Sequence, residues 1–410
     1  MARLQVMRST RNRDQPDPTN FQGQRRYLRC PFFFSNKVKC MRPHAITLVL
    51  PILACSASVT IAGSVTLEPN VDTFDDAQEE ETVGFGNGSV IVVPIPFSDP
   101  TIGSGLTLAA GYLFTIDESS KPSLIGLATL RSSNGSEAYG GAANFAFDNN
   151  RWLIKSLYAK ANINYDLFTP IGRLPITQEG DLGRLELSYG FTQDISAGIA
   201  VRYLNTSISP DGLGLPPIPP PFDRFLNMEI VTPALVANWD TRDDTIYPTK
   251  GFNLNFEASH SYTLEGITGD YSKSFVNFTK YFNPIPNGVI AARVSTCAAS
   301  QETPFFDQCS LGGTDAFRGF PVTQFLDFRS ASLQVEYRHQ FTKRIGAVAF
   351  GGVGQTGDSF SDLSDGGTHS AFGLGARYRV SKKFPVDFSV DWARNNLDED
   401  QLYVYVGQRF

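Results

Sequence analysis

From position 384 onward, Phe384, Val386, Phe388, Val390 and Trp392 alternate with Pro385, Asp387, Ser389, Asp391 and Ala393. A short acidic turn follows, and the chain alternates again through Gln401-Leu-Tyr-Val-Tyr-Val-Gly-Gln-Arg-Phe410. The same period of two recurs upstream. Phe252, Leu254, Phe256, Ala258, His260 and Tyr262 alternate with Asn253, Asn255, Glu257, Ser259 and Ser261, and Leu333, Val335, Tyr337 and Phe341 alternate with Ser332, Gln334, Glu336, Arg338 and Gln340. Successive side chains of a strand point to opposite faces, so each run presents one apolar and one polar face. An open sheet with such an edge would recruit other chains. In lipid, every backbone polar group must be paired internally, which requires the sheet to close.

Sixteen strand-like runs follow Gly88, near 88–95, 103–116, 122–132, 136–148, 151–165, 183–193, 195–208, 226–239, 251–265, 271–283, 288–299, 330–341, 344–356, 369–381, 384–395 and 401–410. An even count suits a bacterial single-chain barrel, whose turns are short on the periplasmic side and long outside. Asp148 to Arg151, Thr342 to Arg344 and Ser381 to Lys383 are short. Asp166 to Leu182, Asp211 to Arg224, Cys297 to Arg329 and Asp358 to Thr368 are long. The predicted fold is therefore an all-β, sixteen-stranded antiparallel transmembrane β-barrel over residues 88–410, with both termini in the periplasm of a Gram-negative cell.

Composition agrees. Hydrophobic residues make up 41% of the chain, yet mean hydropathy is only −0.15. A barrel needs apolar side chains at alternate positions only, so its average looks like that of a soluble protein. The apolar run starting at Ala45 has a core of about 11 residues, the length of a signal peptide rather than of a spanning helix. Residues 41–62 read as that signal, with Met41-Arg-Pro-His as its basic start and Thr60-Ile-Ala62 as its cleavage site. Residues 1–40 carry nine Lys or Arg against two Asp without apolar periodicity and read as a basic leader; residues 63–87 read as an acidic, unstructured periplasmic segment. The chain beyond residue 40 has 26 basic and 39 acidic residues, the opposite of a nucleic-acid binder.

Of five cysteines, Cys30, Cys40 and Cys55 precede the mature barrel, leaving Cys297 and Cys309. A surviving pair in an exported chain suggests a disulfide, with two separate thiols as the alternative. Other chemistry is weak. Gly352-Val-Gly-Gln-Thr-Gly357 fits a dinucleotide pattern but lacks the helix that the fingerprint needs. His44, His260, His339 and His369 are scattered, so no metal site, cofactor or catalytic residue is expected; His260 could only form a dyad with a serine on another strand.

The longest loop contains Leu311-Gly-Gly-Thr-Asp-Ala-Phe-Arg-Gly-Phe320. Here the chain resembles the BamA/TamA superfamily of outer-membrane barrels, through Gly312, Gly313, Phe317, Arg318, Gly319 and Phe320. Asn238 to Phe252 is similar to the family's turn before the ninth strand. Leu402, Val404, Val406 and Phe410 are similar to its C-terminal assembly signal.

The resemblance implies a loop folded inward between strands eleven and twelve, with Arg318 held by Glu336. Inward parity names Glu336 independently, because a desolvated guanidinium requires charged acceptors. An exposed surface loop is the alternative. The family's second acid belongs on the thirteenth strand, where this chain has Gly352. The resemblance also implies a weak seam between Val90–Pro94 and Leu402–Phe410. The activity implied is insertion or translocation of outer-membrane or secreted polypeptides. Outer-membrane lipid and the barrel-assembly machinery would be the partners during biogenesis. A passive or solute-selective pore, or a surface antigen, is the competing expectation. Residues 63–87 are too short for a periplasmic POTRA domain, so a barrel of the bacterial surface antigen type without one is expected.

Overall fold

The computed structural model describes residues 84–410 except 171, 211–226, 267, 314, 365 and 380–385. The expected leader, signal and nearly all of the acidic segment lie outside these residues, as do the Pro-rich loop and the Ser381 turn. Of the acidic segment, Phe85–Asn87 form a short 3-10 turn, and Phe85 stacks edge-on against Tyr112 and Phe114.

Period-two segments form the wall: β1 (Ser89–Asp99), β2 (Gly103–Phe114), β3 (Ser123–Ser132), β4 (Glu137–Phe147), β5 (Trp152–Thr169), β6 (Gly172–Gly190), β7 (Ile195–Ser209), β8 (Asn227–Asp240), β9 (Gly251–Glu265), β10 (Tyr271–Ile285) and β11 (Gly288–Ala299). Two short strands, β12 (Cys309–Ser310) and β13 (Leu326–Asp327), pair with each other in the connection that follows. The wall resumes with β14 (Arg329–Gln340), β15 (Ile345–Gly357), β16 (His369–Arg379), β17 (Asp387–Asn395) and β18 (Asp400–Val406). Sixteen strands close into one antiparallel barrel, with β1 meeting β18. At one rim the turns are short. In that between β4 and β5, Asp148, Asn149 and Asn150 take φ of 56°, 56° and 60°, a left-handed conformation that Asn and Asp tolerate best.

Parity sorts the side chains as the alternation requires. Leu127, Leu185, Ile199, Leu235, Val294 and Leu374 are exposed on the outer wall. Aromatic residues flank this band, Trp152, Tyr189, Phe191, Trp239 and Phe252 near the short-turn rim and Tyr139, Tyr158, Tyr203 and Tyr262 toward the other, as interfacial girdles do. The opposite parity places Arg184, Arg202, Glu257, Lys273, Arg293, Glu336, Arg338, Arg377 and Asp391 in buried positions.

Two expectations are corrected. Residues 166–182 are not a loop, because β5 and β6 pair without a break from Trp152↔Tyr189 to Thr169↔Gly172. Ile163, Tyr165 and Ile176 join an apolar cluster that Leu167 and Leu174 pack against, which rewards continued strand. Pro175 is tolerated there because β6 pairs with β7 only from Thr177 onward, leaving that stretch an edge. At 18 and 19 residues these strands exceed the ~10 needed to span, so the hairpin projects beyond the membrane.

The last strand also ends early, at Val406. Gly407, at φ 95°, turns the chain. Phe410 is therefore not on the lipid side with Leu402, Val404 and Val406. It is buried with Tyr281, Val289 and Ala291, beneath the Arg293 guanidinium at 4.7 Å.

Candidate functional site

Residues 300–328 connect β11 to β14. Near the start of this connection Cys309 is disulfide-bonded to Cys297 of β11, with Cα atoms 5.7 Å apart. Farther along, Asp315 organises the motif. Its carboxylate accepts hydrogen bonds from the Gly312 amide at 2.8 Å, the Phe317 amide at 3.1 Å and the Ser332 hydroxyl. Gly312 adopts φ 90° and Gly319 φ 124°, values that favour glycine. At Gly319 a β-carbon would also collide with Ala371, so the backbone lies directly on β16. Gly313 is buried in the same turn. Phe317 and Phe320 are buried and pack with Ala371 and Phe325.

Arg318 is 2% exposed. Its guanidinium donates to Glu336 of β14 and to Asp391 of β17, both at 2.5 Å, and lies 3.5 Å over the Phe350 ring of β15. Glu336 also accepts from Arg338 Nε at 2.7 Å and has Arg377 Nη2 at 3.9 Å. Asp391 accepts from Arg377 and from the Tyr405 hydroxyl, the latter at 2.7 Å. The Gly319 amide donates to the Tyr403 hydroxyl at 2.7 Å, and Asn395 Nδ2 donates to the Gly319 carbonyl at 2.8 Å. Charge-assisted bonds of this kind are short and about twice as strong as neutral ones. The motif thus touches five consecutive strands, β14 to β18, through side chains that all share the inward parity.

Sequence reasoning placed Glu336 beside Arg318 and missed Asp391. The signal was present, since Asp391 is an inward-parity acid within the strongest alternation in the chain. What parity does not tell is which strands face one another. Gly352 has a different use: a β-carbon there would sit 2.9 Å from the Phe317 ring and from Gln334, so the glycine makes room for Phe317. The dinucleotide-like run Gly352 to Gly357 lies within β15.

His260 and Ser272 are cross-strand partners on the outer wall, with Nδ1 to Oγ 2.8 Å. The Ser272 amide already donates to Ser300 Oγ at 3.0 Å, so it is not free to stabilise an oxyanion. Ser272 is expected to stay unlabelled by a fluorophosphonate probe while the barrel is folded. Mass spectrometry would detect any covalent adduct at this serine, which would make the pair a nucleophile.

The sequence matches the Omp85 superfamily domain over residues 232–410. That span runs from within β8 through the motif to Phe410. The whole barrel also has structural relatives. BamA from Haemophilus ducreyi, solved without POTRA domains 1–3, superposes with a TM-score of 0.54 at 14% identity, covering 78% of this chain and 70% of that one. CdiB from Escherichia coli superposes with a TM-score of 0.57 at 12% identity, covering 82% and 68%. These likenesses establish the fold of β1 to β7, which the family match does not reach. No curated protein sequence matches the chain. The Arg318 cluster lies inside the family-matched residues.

Proposed function

We propose that this Omp85 barrel moves polypeptides into or across the outer membrane of a Gram-negative cell, through the seam between β1 and β18. The seam's pairing carries this reading. β1 pairs with β2 along its whole length, from Ser89↔Leu113 to Asp99↔Gly103, whereas β1 and β18 share one register pair, Ser98↔Val404. The cause is local. β18 stops at Val406 and Gly407 turns the chain, so Ser89 to Ile95 meet no partner on that side among the described residues.

Pro94 and Pro96 add to this. Both lack an N–H, and proline is tolerated in a sheet where the missing donor faces an unpaired side. A seam with few ladder bonds opens at little cost, and the exposed edge of β1 can template an incoming strand by edge addition.

The short-turn rim faces the periplasm in this reading, with both ends of the barrel there. The 300–328 loop enters the lumen from outside and occupies it. Unfolded outer-membrane or secreted polypeptides are the clients. Lipid and the barrel-assembly machinery serve the protein's own biogenesis. The test is depletion in the native cell followed by quantitative proteomics of outer membrane and medium. A defined set of barrels or secreted proteins is expected to fall at least severalfold. An unchanged census, together with large conductance of the purified protein, would instead identify a solute pore.

A further inference from the structure

Arg318 is not the only buried charge that ties the 300–328 loop to the wall. Asp307 ends the 3-10 turn Phe305–Asp307 and is 2% exposed. Its carboxylate accepts hydrogen bonds from both terminal nitrogens of Arg202 on β7, from Lys273 Nζ at 3.1 Å and from the Tyr271 hydroxyl at 2.8 Å, the last two on β10. Burial alone would raise this carboxyl, but Arg202 and Lys273 outweigh it and hold it well below the usual carboxylate range. Each partner needs it in turn, because Arg202 and Lys273 are both nearly buried and would otherwise face one another as like charges.

The surroundings make this a built attachment. Phe306 enters an apolar cluster with Ile102, Leu130, Ile163 and Tyr165, on the inner side of the projecting β5–β6 hairpin. Two residues beyond Asp307, the Cys309 disulfide ties the chain to β11. None of these groups belongs to β14–β18, which hold the Arg318 motif. Around the barrel, β7 and β10 lie on the opposite side of β11 from β14, so the loop is fastened to two separate arcs.

We propose that Asp307 is a second latch, closing the β7–β10 side of the lumen independently of Arg318, so that the pore opens fully only when both attachments release. This rests on the reading above that the loop occupies the lumen, and it adds a positioning residue outside the family motif. If each attachment releases in about a tenth of molecules or fewer, deleting one raises the open fraction roughly tenfold or more, and deleting both multiplies the two effects.

The test is single-channel recording of the purified full chain in planar bilayers, for wild type, Asp307→Asn, Arg318→Ala and the double variant. Heat-modifiability on gels checks that each barrel is folded. The expected result is brief openings in each single variant and sustained large conductance in the double. Asp307→Asn behaving as wild type, or a double variant no more open than Arg318→Ala, would overturn the proposal. Should Asp307→Asn not fold, Tyr271→Phe removes one bond to the same carboxylate at nearly constant volume. It is expected to raise the open fraction by a smaller factor, and no rise would count equally against the latch. Because conductance is read without any client, failure here leaves the translocation reading standing.

Discussion

Glu336→Gln is expected to destabilise the folded barrel more than any other single change at the Arg318 cluster. Glu336 faces three guanidinium groups, those of Arg318, Arg338 and Arg377, and is itself fully buried. Glutamine keeps the shape and removes the charge, leaving three cations to share Asp391. Breaking a buried ion pair by neutralising one partner costs about 3–5 kcal/mol, because the remaining charges stay desolvated. Arg318→Ala differs in kind. It leaves Glu336 with Arg338 and Asp391 with Arg377, two anions for two cations. Its cost is expected nearer the ~1.5–3 kcal/mol of lost charged hydrogen bonds, and it releases the loop.

The measurement is the temperature at which the compact band on detergent gels converts to the unfolded one, read beside protease sensitivity of residues 300–328. The barrel should convert at the lowest temperature in Glu336→Gln, and the loop should be cut in Arg318→Ala while the barrel still migrates as folded. A larger thermal shift in Arg318→Ala, or a protected loop in that variant, would contradict this account of the cluster.

The second large effect concerns the seam. Replacing Ser98 and Val404 by cysteines places two thiols at the one register pair joining β1 to β18. Directly opposed strand residues lie about 4.5–5.5 Å apart between Cα atoms, within the range that a disulfide spans. Oxidation should abolish client delivery almost completely, and reduction should restore it. The matching control joins Ala109 to Ala128 across β2 and β3, a fully paired ladder that has no need to open. Since reduction also reaches the native Cys297–Cys309 bond, the control carries the same exposure. Normal delivery through an oxidised seam would show that clients take another path.

Much of the wall was legible in residues alone. Ser332, Gln334, Glu336 and Arg338 were assigned inward because they alternate with Leu333, Val335 and Tyr337, and the structure buries the first set while leaving Leu333 and Val335 exposed. The count of sixteen wall strands followed from the same rule. The reading failed at one connection. Asp166 to Leu182 was read as a long connection, yet an unbroken β5–β6 ladder runs through it. It failed also at the C-terminus, where the strand read over 401–410 ends at Val406 and the left-handed Gly407 turns Phe410 inward.

What the chain's order of residues determined by itself is which face of each strand meets lipid and which meets the interior, because a period of two is written locally and survives any arrangement of strands. It also marked Arg318 as a cation requiring a buried acid. Only the closed barrel decided that Asp391 would join Glu336 at that arginine, that Arg202 and Lys273 would converge on Asp307, and that β18 would barely touch β1. Those meetings join positions from about 20 to more than 300 residues apart. They depend on how far each strand is staggered against its neighbour as the cylinder closes, a quantity set by the whole sheet and encoded in no single segment.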